Sequence, residues 1–155
     1  WRLSEKMGQS ITALHRPLPG FADSLARPVN QFFTTMKPGR LSQRLNWSVQ
    51  GGDKLTAPAR TPFDAAPRTA EAWEEVIHIR IERQCFYKLP VTGAVIFTIR
   101  TSLAPLKRFR QHPSFIEAVL GQAEKLTPAF YAYKSLGEVE DGLRVWIDKY
   151  LSCPT

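Results

Sequence analysis

Residues His78 to Gln84 place an imidazole, a guanidinium, a carboxylate and an amide at every second position. The polar members are His78, Arg80, Glu82 and Gln84, and isoleucines separate the first three. Strict alternation of apolar and polar residues is typical of a β-strand with two different faces. The polar face either meets water, as on an antiparallel sheet with one solvated side, or lines a cavity in which these groups bind a ligand.

The charges in this segment favour a carboxylate that stays ionised. Arg83 follows Ile81 on the otherwise apolar face, so the strand carries more charge than a core strand needs. Guanidinium groups at Arg80 and Arg83 would keep Glu82 ionised by charge pairing, and an ionised carboxylate in a pocket suits a cationic amine. Arg100 is equally unusual inside the strand-like sequence FTIRT, where it could pair with Glu82 across a hairpin or bind a propionate.

Histidines are scarce, and their positions limit the possible metal chemistry. His15 lies where a predicted helix meets the rigid segment Pro17–Gly20, which would fix the direction of an imidazole that ligates a metal. The alternative is a surface histidine at a helix C-terminus, where the helix dipole favours it. His112 precedes Pro113 in a polar turn, which favours a surface position.

Other common chemistries lack their motifs in this sequence. It has no zinc-ligand spacing, no Walker loop, no dinucleotide-binding glycine pattern and no nucleophile elbow. A haem iron needs only one protein histidine, because the macrocycle supplies the equatorial ligands. A single isolated histidine is therefore compatible with a haem site.

Composition and charge narrow the class of protein. The 155 residues suffice for one domain with a core, and the net charge of +7 favours anionic partners. The basic residues are spread out, however, and the run Lys107–Arg110 is typical of a solvated patch, so we expect no nucleic-acid partner. No apolar run reaches the roughly 20 residues of a membrane helix. Cys85 and Cys153 lack metal-site spacing, which favours reduced thiols and a cytoplasmic location.

The order of the predicted elements is helices, then strands, then helices. This order predicts an α+β domain whose antiparallel sheet is covered by helices on one face. Residues 1–155 are expected to form a single domain. Because the first residue is not Met, we also expect that a segment upstream of it is missing from this sequence. The apolar stripe of Val29, Phe32, Phe33 and Met36 is predicted to pack in the core. The predicted elements are helices at Leu3–Leu14, Arg27–Phe33, His112–Lys125, Pro128–Ser135 and Glu138–Leu151, strands at Arg44–Val49, Glu75–Leu89 and Ala94–Thr101, and a long loop at Gly51–Arg68.

Five segments, in this order, resemble the catalytic subunit family of haem-dependent oxidative N-demethylases. The sequence Tyr131–Lys134 is also similar, and the resemblance covers most of residues 5 to 135. The five segments are LHRPLPGF (Leu14–Phe21), RPVNQFF (Arg27–Phe33), RLNWSV (Arg44–Val49), IRIERQCFYKLP (Ile79–Pro90) and GAVIFTIRTSLAPL (Gly93–Leu106).

The resemblance implies a PAS-like haem domain that removes a methyl group from a small secondary amine. The reaction would use dioxygen and release formaldehyde, with haem b as the iron cofactor. Electrons would come from an external redox partner that carries flavin and iron–sulfur groups, because this chain has no motif for them. A basic surface would suit an acidic redox partner.

The resemblance also suggests roles for individual residues. His15 is expected to be the axial iron ligand, with His78 as the rival, and Arg44 and Arg100 are expected to hold the haem propionates. Arg80 and Arg83 would donate charged hydrogen bonds to dioxygen and its reduced forms. Glu82 would hold the cationic amine or relay a proton. A non-catalytic PAS-like sensor that binds haem or another ligand is the alternative, since a fold does not decide a function.

Overall fold

The protein is an α+β structure built on a three-stranded antiparallel sheet. The computed structural model describes residues 3–55, 69–134 and 136–152. Strands β1 (Leu41–Gly51), β2 (Ile77–Lys88) and β3 (Val95–Pro105) pair in the order β1-β2-β3. The described helices are α1 (Ile11–Leu14), α2 (Ala26–Thr35), α3 (Ala70–Val76), α4 (Pro113–Ala123), α5 (Pro128–Tyr133) and α6 (Glu140–Leu151).

The chain divides into two compact units, and each strand contributes residues to both. The first unit contains Trp1–Leu45 and Arg83–Arg100. The second unit contains Asn46–Glu82 and Thr101–Thr155. The expectation of a single domain stays a prediction.

A left-handed glycine sets the register of the hairpin between β2 and β3. Gly93 has a φ of 70°. Its N–H donates to the Leu89 carbonyl at 3.0 Å, and the Leu89 N–H donates to the Ala94 carbonyl at 2.8 Å. This is the hydrogen-bond pattern of a glycine β-bulge, and it sets Leu89 opposite Ala94. Counting outward, Phe86 opposes Phe97, and their stacked rings agree with this register. The predicted antiparallel hairpin is confirmed.

The core of the second unit forms where the apolar side of the sheet meets the helices. The alternation in β2 puts Ile77 and Ile79 on that side, together with Val49 of β1, and all three are buried. Helix α6 packs on α3 and α4. The helices contribute buried side chains to the same cluster, among them Trp73, Ile116, Leu120, Leu143 and Trp146.

Helix α6 approaches α3 closely at Gly142. A Cβ atom at this position would lie 2.5 Å from Trp73 Cδ2 and 2.9 Å from Ile77 Cδ1. Such distances are shorter than packed side chains tolerate, so the residue at this contact must lack a side chain.

One predicted helix and one predicted strand are wrong in their bounds. The predicted helix Leu3–Leu14 is instead a 3-10 turn at Leu3–Glu5 and the four-residue α1. Gly8, with a φ of 73°, interrupts the helix, and Ser10 starts α1 by accepting a hydrogen bond from the Ala13 N–H. The predicted strand Glu75–Leu89 begins only at Ile77, because its first two residues belong to α3.

The predicted core packing of the apolar stripe holds only for Met36, which is buried and follows α2. Phe32 remains exposed. The helices predicted after residue 105 are confirmed as α4, α5 and α6. Most of the predicted loop at Gly51–Arg68 falls on residues 56–68, outside the described residues, as does Cys153. No helix in the described ranges combines the length and hydrophobicity required to cross a membrane.

Candidate functional site

The polar side of β2 in the second unit carries an ion pair. Arg80 Nε lies 3.1 Å from Glu82 Oε1, and each side chain is about four-fifths buried (21% and 20% exposed). Arg80 also donates to Thr101 Oγ1 at 3.3 Å and to the Leu55 carbonyl at 3.2 Å. Partial burial shields this pair from water, so its attraction is stronger than that of an exposed pair. The predicted charge pairing of Glu82 with Arg80 is therefore present, and the roles expected for the two residues stay predictions.

Glu82 lies on the middle strand, β2, between polar residues of β1 and β3. Asn46 of β1 opposes Glu82, and its Nδ2 lies 3.4 Å from Glu82 Oε2. On the other side, the hairpin register sets Thr101 of β3 opposite Glu82. Asn46, Glu82 and Thr101 therefore form a polar row across three strands, with the carboxylate in the middle.

Lys134 is a second cation whose charge interacts with Glu82, and sequence reasoning assigned it no role. Its Nζ donates to the Trp47 carbonyl at 2.7 Å and lies 4.8 Å from the centroid of the Trp47 ring. Burial lowers the pKa of Lys134, whereas the charge of Glu82 acts in the opposite direction. The only sequence signal was its place at the end of the Tyr131–Lys134 segment.

His15 is held in one tautomer at the end of α1. Its Nδ1 lies 2.8 Å from the Ile11 carbonyl oxygen, which can only accept a hydrogen bond, so Nδ1 carries the proton. The ring is exposed and stacks on Phe21, with centroids 4.5 Å apart and planes 9° apart. In the neutral ring Nε2 then carries the lone pair, which is the arrangement found in histidines that ligate metals.

His78, the rival ligand, differs from His15 in its accessibility. It is buried, and its Nδ1 lies 3.2 Å from the Val76 carbonyl oxygen. An exposed imidazole can reach a metal held in a large macrocycle more easily than a buried one. The geometry thus favours His15, although both assignments stay predictions.

The remaining predicted arginines lie in the first unit. Arg44 Nε donates to Oε1 of the buried Gln84 at 2.6 Å. Arg83 directly follows Glu82, so alternation directs the two side chains to opposite sides of β2. The expected flanking of Glu82 by two guanidinium groups is therefore wrong. The hairpin register sets Arg100 opposite Arg83 rather than opposite Glu82, so the expected pairing of Arg100 with Glu82 is also wrong.

A haem iron needs fewer protein ligands than a free metal ion does. In the part of the chain that the structure describes, no three His, Cys, Asp or Glu side chains form a group that could hold a metal ion. Haem iron requires only one imidazole with an accessible nitrogen lone pair. The exposed His15, whose Nδ1 is bound to a backbone carbonyl, meets that requirement.

A comparison with protein families identifies the chain. A family model described as haem-dependent oxidative N-demethylase, alpha subunit-like, matches residues 1–144. The chain belongs to this family. The match confirms the resemblance that the five ordered segments indicated, and the family's description points to haem dependence.

Proposed function

We propose that the protein is a haem-dependent oxidoreductase that removes a methyl group from a small secondary amine. The net reaction takes the amine, dioxygen, two electrons and two protons, and yields the demethylated amine, formaldehyde and water. The observation that carries the proposal is the imidazole of His15, whose Nδ1–H is bound to the Ile11 carbonyl and whose Nε2 is left to ligate iron. Family membership supports the same cofactor.

Residues of the first unit would hold the cofactor in a PAS-like arrangement of sheet and helices. His15 would ligate the iron of haem b, and Arg44 would pair with a propionate. The same role for Arg100 stays a prediction from the sequence, because the hairpin register puts Arg100 on the side of the sheet opposite to Gln84. Haem supplies the oxidative chemistry on dioxygen, and the protein supplies binding, orientation and charge. Arg44 is already oriented by its hydrogen bond to Gln84, and its remaining N–H groups suit a carboxylate.

The carboxylate of Glu82 would bind the amine. A secondary ammonium carries one charge and N–H donors, which complement the carboxylate of Glu82. Arg80 and Asn46 hold that carboxylate in place, so Glu82 can accept the ammonium proton in a fixed orientation. Arg80 would donate charged hydrogen bonds to oxygen species, and the same role for Arg83 stays a prediction from the sequence.

The two electrons would come from a redox partner. The chain has no sequence motif for flavin or iron–sulfur groups. A net charge of +7 favours an acidic surface on a partner that carries them, chiefly through faster association.

The experiment that tests the proposal separates cofactor binding from turnover. The purified chain is titrated with haem, and the Soret band is followed for the parent, His15→Ala and His78→Ala, with the exposed His112→Ala as the matched control. We expect His15→Ala alone to shift or abolish the band. Formaldehyde is then measured with dimethylamine, dioxygen and an electron donor. Haem uptake without formaldehyde would make the chain a non-catalytic haem-binding module, and no haem uptake would refute the enzyme proposal.

A further inference from the structure

Four phenylalanines of the first unit form one aromatic cluster, which we call the phenylalanine cluster. Phe86 of β2 and Phe97 of β3 stack with centroids 4.6 Å apart and planes 4° apart. Phe32 and Phe33 of α2 meet the Phe86 ring edge-on at 5.5 Å and 5.7 Å. The cluster therefore joins a helix and two strands on one side of the hairpin.

The phenylalanine cluster is partly exposed to solvent. Phe32 is 39% exposed and Phe97 is 48% exposed, and Ile99, on the same side of β3 as Phe97, is also exposed. In the second unit, by contrast, Trp73 and Trp146 are buried. A contiguous exposed surface of large apolar side chains is characteristic of a site that binds a ligand or a partner.

A cation adjoins the apolar surface. Alternation along β2 puts Gln84 on the same side as Phe86, and the hairpin register sets Gln84 opposite Ile99. Gln84 accepts the hydrogen bond from Arg44 Nε at 2.6 Å, so the guanidinium is held at this end of the surface. A surface that is aromatic over most of its area and cationic at one end fits a flat apolar molecule with carboxylates on one edge.

We infer that the phenylalanine cluster, together with Ile99 and Arg44, is the surface on which the haem macrocycle packs. Arg44 pairs with a propionate, and the exposed faces of Phe32 and Phe97 become buried when the macrocycle binds. This inference rests on the proposed haem cofactor and adds the apolar side chains that hold it. His15 belongs to the same unit as the phenylalanine cluster.

Iron-free protoporphyrin IX separates apolar packing from iron ligation. The full chain is titrated with haem and with protoporphyrin IX, and binding is followed by the Soret band and by porphyrin fluorescence. The matched control for Phe97→Ala is Phe115→Ala, since Phe115 is 42% exposed in the second unit and stacks on Phe109 at 5.1 Å, much as Phe97 stacks on Phe86. Ile99→Ser serves as a second cluster variant if Phe97→Ala fails to fold by circular dichroism.

The cluster variants and the His15 variant should have different signatures. We expect Phe97→Ala or Ile99→Ser to weaken both porphyrins by about tenfold while keeping the histidine-ligated spectrum of bound haem. His15→Ala should change the haem spectrum and leave protoporphyrin IX affinity within about threefold of the parent. Phe115→Ala should match the parent in both titrations.

The negative results of these titrations have different consequences for the inference and for the proposed function. If haem binds with a spectrum that depends on His15 but the cluster variants match the parent, the inference is overturned and the proposed function stands. If the parent takes up neither porphyrin, both fail. If sedimentation shows a dimer that Phe97→Ala dissociates, and porphyrin does not bind, a second copy of the chain covers the cluster and the inference is likewise overturned.

Discussion

Replacing Glu74 with glutamine should destabilise the protein strongly, because four donor groups surround this carboxylate. Glu74, in α3, is 1% exposed. Arg110 donates through Nε at 2.9 Å and through Nη2, and Trp146 Nε1 and Tyr150 Oη lie 3.3 Å from Glu74 Oε2. The amide of glutamine has the same shape but only one acceptor oxygen, so its NH₂ group would face donors.

The magnitude follows from the contacts and from the exposure of the arginine. Breaking a buried ion pair costs about 3–5 kcal/mol when the remaining charge stays buried. Arg110 is 51% exposed and can regain water, which places the estimate at about 3 kcal/mol. For a chain of this length, that corresponds to a fall in Tm of roughly 6–12 °C.

The assay is urea unfolding of the parent and Glu74→Gln near neutral pH, followed by circular dichroism. The matched control is Glu75→Gln, the next residue, whose exposed carboxylate pairs with Lys107 at 2.8 Å. An exposed pair contributes about 0–1 kcal/mol, so this control should unfold almost like the parent. Equal unfolding free energies for the two variants would refute the reasoning about burial.

The same carboxylate predicts a pH dependence with a defined sign. The Arg110 hydrogen bond lowers the pKa of Glu74 below its ordinary value of 4.5, although burial acts in the opposite direction. A carboxylate with a lowered pKa stabilises the folded state at pH values above its unfolded-state pKa. This stabilisation is lost as the pH falls through the folded-state pKa. The stability difference between the parent and Glu74→Gln should therefore shrink below about pH 4.5, and a constant difference would contradict this assignment.

Further substitutions test the packing, the capping and the proposed chemistry. Gly142→Ala should lower the free energy of unfolding, measured in urea, by about 1–3 kcal/mol, because the new Cβ would overlap Trp73. The control Gly121→Ala in α4 places its Cβ with no atom within 4 Å, so it should raise the free energy of unfolding by up to about 1 kcal/mol. Thr69→Ala removes the cap of α3 and should cost about 1 kcal/mol by the same measurement, with Thr69→Ser largely restoring it. Glu82→Gln should lower formaldehyde release by about a hundredfold without changing haem uptake, and unchanged release would remove Glu82 from the chemistry.

The sequence by itself determined the elements whose signals are local. Alternation in β2 and the glycine after it predict the antiparallel hairpin, and Gly93 has the left-handed conformation that such a turn requires. Proline and apolar periodicity predict α4, α5 and α6. The ordered segments also identify the family, since each consists of neighbouring residues. Helix α3 had a local signal too, in the capping Thr69 and the acidic Glu71, which the strand-like pattern after it obscured.

Only the tertiary structure decided which side chains meet. The donors to Glu74 stand 36 to 76 residues away in the chain, so local periodicity could not reveal this carboxylate as buried. The phenylalanine cluster was hidden for the same reason, because α2 and the hairpin are remote in sequence. The position of Arg100 opposite Arg83 depends on the register of the hairpin, which a shift of one residue would change. Pairing between distant elements depends on the packing of the whole chain, which short-range patterns do not contain.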